Sequence, residues 1–139
     1  MKLEFYPEKK LKKEIKKIAQ KYNLELILLF GSRLDKKIHQ ESDFDVAYSG
    51  RRNLNLNQEA KLIIDLSPIF KSENIDLVNL KKASPLLLYA ITKDCKVIFE
   101  EDSLIYDNLR AYAFKKYIET KPLYEEKFKR LRKKIEAMV

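Results

Sequence analysis

The sequence predicts an α/β (α+β) fold, and three observations carry that prediction. Apolar runs of strand length, such as Leu24–Phe30 (LELILLF), alternate with stretches whose apolar residues recur at helical spacing. A Gly31-Ser32-Arg33 turn directly follows the first apolar run. An Asp-x-Asp pair, within Ser42-Asp43-Phe44-Asp45, opens the next one.

Taken in order, Pro7 to Tyr22 reads as an amphipathic helix. Leu11, Ile15, Ile18 and Tyr22 fall on one face, lysines cover the rest, and Asn23 is a plausible stop. Leu24–Phe30 is nearly all apolar, which suits a strand buried on both faces. Gly31 permits a sharp turn and close backbone approach to a ligand, and it is one of only two glycines. Ser32 stands where a helix would begin, so its hydroxyl and the following amides suit phosphate oxygens. Taken alone, the Gly-Ser pair is an ordinary strand-to-helix turn. A short helical connection then leads to the second strand.

That strand is expected from Asp43 to Tyr48, with Phe44, Val46 and Tyr48 facing one core and Asp43, Asp45 and Ala47 the other side. Two carboxylates on one face repel each other unless a cation lies between them. Oxygen ligands on a rigid strand suit magnesium, which takes one or two carboxylates plus phosphates and water. A helix follows with the stripe Leu62, Ile63, Leu66, Ile69 and Phe70; Pro68 is expected to kink or restart it. Ile75-Asp76-Leu77-Val78 is a third strand. Asp76 interrupts its apolar run, and an acid in a buried strand is costly unless paired or metal-bound; the bland alternative is a strand end near solvent.

Ser84-Pro85 starts another helix, ending near Asp94, and Lys96–Phe99 is a fourth strand. Ser103 is expected to cap a helix to about Thr120, broken by Pro122. Beyond it Tyr124, Phe128, Leu131, Ile135 and Met138 alternate at spacings of four and three, a heptad stripe suited to packing on the domain or on another protein. The chain therefore divides into a core over 1–103 and a C-terminal helical extension over 104–139 that packs on the core or on a partner, one domain in all.

The 139 residues carry a net charge of +8. Residues 1–22 contribute +5 and residues 110–139 contribute +6, leaving −3 for the middle that holds the acidic motifs. Basic ends attract nucleic acid, nucleotides or an acidic protein; solvated helix faces explain them equally well. RNA binding is the weaker of the partner readings. No apolar run reaches membrane-spanning length, and the N-terminus lacks the apolar segment of a signal peptide. The lone Cys95 leaves no internal disulfide, so a cytoplasmic protein is expected. Cys95 reads as a core or strand-edge residue, His39 as incidental, and Arg51 and Arg52 as turn residues rather than phosphate ligands.

The series Gly31-Ser32-Arg33, Ser42-Asp43-Phe44-Asp45 and Ile75-Asp76-Leu77-Val78 resembles the DNA-polymerase-β-like nucleotidyltransferase superfamily. With its short length, it looks like the minimal nucleotidyltransferases, antitoxin partners of HEPN-domain ribonuclease toxins. The motifs cover roughly residues 24–80. One departure is visible: the connection 33–42 has no glycine, so its path is expected to be more helical than in many relatives.

The resemblance implies a small mixed sheet flanked by helices, with C-terminal helices. It implies that Asp43 and Asp45 hold Mg2+, and that Asp76 completes the metal site and helps deprotonate the attacking hydroxyl. Gly31 and Ser32, with Arg33 nearby, would hold the triphosphate of ATP. The implied activity is transfer of AMP to a hydroxyl, a tyrosine of a cognate HEPN toxin that is thereby silenced. Two alternatives stand beside it: an antitoxin that masks its partner without catalysis, and transfer to a small molecule of the aminoglycoside type.

Overall fold

The computed structural model describes residues 8–31 and 44–138. Its elements are α1 (Glu8–Lys21), β1 (Leu24–Phe30), β2 (Phe44–Gly50), α2 (Leu56–Phe70), β3 (Ile75–Asn79), a 3-10 turn (Leu80–Lys82), α3 (Pro85–Lys93), β4 (Cys95–Glu100) and α4 (Ile105–Ala137). The four strands form one mixed sheet in the order β3-β2-β1-β4. β1 runs antiparallel to both its neighbours, and β2 pairs β3 in parallel. A parallel pair needs a crossover of a dozen or more residues, and α2 supplies it.

Both faces of the sheet are covered. On one, Ile15 and Ile18 of α1 and Leu62, Leu66 and Phe70 of α2 pack on Ile27, Leu29, Phe44, Val46 and Tyr48. Phe44 and Phe70 stack at 4.7 Å between ring centroids. On the other, Leu88 and Ile91 of α3 and Ala113 of α4 pack on Leu26, Leu28 and Ala47. The expected alternation of β2 is therefore observed, and β1, at the centre, is apolar on both sides because both sides are buried.

The helix ends follow local chemistry. Asn23 adopts a left-handed conformation just after α1 (φ 56°), as the sequence suggested for a stop. Asn55 and Gln58 form a reciprocal capping box on α2: Gln58 N–H donates to Asn55 Oδ1 at 2.8 Å and Asn55 N–H donates to Gln58 Oε1 at 2.9 Å. Leu87 N–H donates to the Ser84 hydroxyl at 3.2 Å, so Ser84 caps α3 as expected.

Several expectations are corrected. Pro68 does not restart a helix; it lies inside α2, two residues before its last residue, Phe70. Pro122 does not break the last helix, and α4 runs 33 residues straight through it. Each proline removes the N–H that would bond the carbonyl four residues back, on Ile64 and Ile118, and both residues are exposed, so water can serve those carbonyls. Ser103 does not cap α4, which begins after Leu104 without a side-chain cap. Instead the Glu100 carboxylate accepts the Tyr106 N–H at 2.7 Å, serving a first-turn amide from the end of β4. The stripe beyond Pro122 is not core: Tyr124 is half-buried, and Phe128, Leu131, Ile135 and Met138 are exposed.

Candidate active site

The site is built where β1 ends and β2 begins. In the ladder Phe30 of β1 pairs Asp45 of β2, and Asp45 pairs Asp76 of β3. Residues in register on neighbouring strands point to the same face of a sheet. Two residues further on, Ala47 pairs Val78, and both pack into the α3/α4 layer. Asp45 and Asp76 therefore share the face that carries α3 and α4, at the strand ends. Asp45 is buried, with 5% of its surface exposed, whereas Asp76 is exposed. The difference follows from position: β2 is flanked on both sides, while β3 is the sheet edge. The sequence leaves Asp76 open between a buried acid that is paired or metal-bound and a strand residue near solvent; at the sheet edge it stands in water, accessible to a ligand.

Gly31 closes the arrangement. Its φ is +83°, in the left-handed region that only glycine adopts readily. A Cβ built there would collide with Asp45 Oδ2 and stand 2.9 Å from Asp45 Cγ. The space left by the missing side chain thus holds the Asp45 carboxylate, where the sequence suggested room for a ligand. Asp43, Ser32, Arg33, His39 and the connection 33–42 lie outside the described residues. Among the described residues no three His, Cys, Asp or Glu side chains gather into a ligand set. Asp45 and Asp76 together offer oxygen donors only, which fits a hard cation such as magnesium better than a soft metal.

The other titratable groups do not compete for the chemistry. Tyr48, on the opposite face of β2, donates its hydroxyl to Glu59 Oε2 at 2.7 Å. Burial, then that bond, pushes its pKa well above the usual tyrosine range, so it stays protonated. Burial likewise raises the Cys95 thiol, which disfavours its thiolate. Arg51 pairs with Glu101, and Arg51 N–H donates to Asn23 O at 3.0 Å. That is the far end of β2, about 20 Å from Asp45 at ordinary strand rise, so Arg51 and Arg52 act as turn residues there. Among the described residues no helix is long and apolar enough to cross a membrane.

Comparison with known proteins identifies the family. Residues 13–104 match the family described as Polymerase beta, Nucleotidyltransferase, a span that contains Gly31, Asp45 and Asp76. Protein adenylyltransferase MntA of Aphanizomenon flos-aquae (strain 2012/KM1/D3) is 31% identical over 117 residues, 78% of this chain and 78% of that one. Two solved structures share the fold. One is a toxin-antitoxin crystal structure with AMP-PNP (TM-score 0.66, 23% identity, 84% of this chain and 98% of that chain). The other is a tri-AMPylated Shewanella oneidensis HEPN toxin in complex with MNT antitoxin (TM-score 0.63, 20% identity, 88% of this chain and 99% of that chain). On the family match and the adenylyltransferase relative together, the chain belongs to the polymerase-β nucleotidyltransferase family, among the relatives of protein adenylyltransferase MntA.

Proposed function

We propose that the protein is a magnesium-dependent adenylyltransferase that moves AMP from ATP to a tyrosine hydroxyl of a cognate HEPN-domain toxin, and so serves as its antitoxin. The observation that carries this reading is the register of Asp45 on Asp76 beside Gly31. It puts a buried, fixed carboxylate next to an exposed one at the mouth of a glycine turn.

Within this reading each residue has a separate task. Asp45, with Asp43, holds the cation and is itself held by the packing around Gly31. Magnesium bound there would supply positive charge to the triphosphate oxygens. Gly31, Ser32 and Arg33 orient the β- and γ-phosphates. Asp76, open to solvent, faces the acceptor and takes the proton from its hydroxyl. The acceptor oxygen then bonds the α-phosphorus, and the bond from that phosphorus to pyrophosphate breaks. Phosphoryl-type transfer of this kind is mostly positioning and charge neutralisation, so a small site suffices.

The test is to incubate the protein with ATP, Mg2+ and the toxin encoded beside it, and to weigh the toxin. The expected result is added mass in whole AMP units, absent with Asp45→Asn. No added mass with wild-type protein would overturn the transfer reading. Protection of cells by an Asp45→Asn variant as full as by the wild type would favour masking over catalysis.

A further inference from the structure

We propose that the distal part of α4, from Tyr124 to Met138, is a docking seam for an amphipathic helix with acidic flanks, carried by the protein that receives AMP. The inference rests on the reading above only for the identity of that protein. Tyr124, Phe128, Leu131, Ile135 and Met138 lie on one side of the helix, and the last four are each at least 51% exposed. From Phe128 to Met138 the seam extends about 15 Å along the helix. Both layers of the domain core are filled by other residues, and the buried contribution of α4 is Ala113, at its proximal end. A contiguous apolar stripe left in water on an ordered helix is unfavourable unless a partner covers it.

Charge selects the occupant. Residues 121–138 carry seven Lys or Arg against three Glu. Two of those glutamates are already engaged within the helix: Glu125 with Lys121 at 4.0 Å, and Glu126 with Arg130 at 2.8 Å. The residues that border the seam at heptad spacing are Lys127 and Lys134 on one side, Glu125 and Arg132 on the other. Among the described residues Lys127, Arg132 and Lys134 make no ion pair. A second copy of this chain is a poor occupant, because Lys127 would face Arg132 of the other copy in a parallel pair and Lys134 in an antiparallel one. Carboxylates on the edges of an incoming helix would meet those cations, and its apolar residues would fill the seam. Nucleic acid would use the cations and leave Phe128, Leu131 and Ile135 wet.

The experiment uses the full chain and the toxin encoded beside it, with Leu131→Asp/Ile135→Asp as the main variant and Lys127→Glu/Lys134→Glu as the second. All four side chains project from the domain, so circular dichroism and the melting temperature should match the wild type. The apolar variant is expected to weaken association with the toxin at least about tenfold, the loss typical of a central apolar anchor. AMP transfer at low toxin concentration should fall in proportion and recover at high concentration. The charge variant should weaken association most at low salt. Wild-type affinity in the apolar variant would overturn the seam, as would a wild-type chain that does not bind the toxin. So would sedimentation showing the chain alone to be a dimer that the apolar variant dissolves, or RNA binding by the helix that the apolar variant leaves intact. A wild-type chain that binds through the seam but transfers no AMP would sink the transfer reading and leave the seam standing.

Discussion

Asp45 of β2 lies opposite Asp76 of β3 in a parallel register, one carboxylate buried and the other open to water. In the proposed reaction the pairing separates two roles by position in the sheet: the inner strand would fix a ligand, and the edge strand would meet a second substrate. Asp45→Asn and Asp76→Asn should each lower AMP transfer roughly a hundredfold or more. Because Asp76 is exposed, Asp76→Asn should change stability by no more than about 0.5 kcal/mol. Rates of AMP incorporation measured beside thermal melts check both statements. A large loss of stability in Asp76→Asn would mean the residue holds the fold and not the reaction.

Gly31 tests the same geometry from the other side. Gly31→Ala places a methyl group on the Asp45 carboxylate and forces an ordinary residue to φ +83°. The backbone strain alone is worth about 1–2 kcal/mol, and the carboxylate must also move. The expected result is loss of transfer with a lower melting temperature. Gly31→Ala that melts lower but transfers AMP at the wild-type rate would show that Asp45 need not stay where Gly31 holds it.

Much of this site was legible in the sequence, for reasons that can be named. Leu24–Phe30 reads as a strand buried on both faces, and Asp45 and Asp76 stand out because charge interrupts apolar strands. Local pattern does not encode which strands pair, so the sheet order and the edge position of β3 were beyond it. That is why the sequence leaves Asp76 open between a buried acid and a residue near solvent, and the edge position decides for exposure. Pro122 was misjudged for a related reason. Proline is disruptive where the freed carbonyl is enclosed, and neither burial nor exposure of a helix face is visible until its partners are known. Gly31 reads as a place where a ligand approaches the backbone closely; that the group found against it is the Asp45 carboxylate is a tertiary fact.

Asp65 of α2 ties that helix to the end of α1. Lys21 Nζ and the Tyr22 hydroxyl both donate to Asp65 Oδ2, at 2.8 and 2.6 Å. The Lys21 bond, then the Tyr22 bond, holds the Asp65 carboxyl below the usual carboxylate range. A depressed folded-state pKa gives stability that is present above the unfolded value and lost as pH falls from there through the folded one. Lys21 is largely exposed, so solvent screens its share. Asp65→Asn should therefore flatten the fall in stability on acidification below about pH 5, modestly, with little change in the shape of the curve above it. Urea melts across that range read the effect directly. A variant whose acid profile overlays the wild type would show that the bonds to Asp65 contribute no net pH dependence.

The continuity of α4 through Pro122 makes a sharper demand. Its distal half carries the exposed apolar stripe but no core residue, so its order depends on the helix itself. Pro122 removes one hydrogen bond from that helix, and proline in a helix interior costs about 3 kcal/mol relative to alanine. The deficit should appear as local opening beyond Pro122 and not as a change in global unfolding. Pro122→Ala is expected to slow amide exchange over residues 123–134 by up to about a hundredfold, while exchange in β1 and β2 is unchanged. If those distal amides exchange freely in both proteins, the helix does not persist past Pro122 in the unbound chain, and a partner would have to order it on docking.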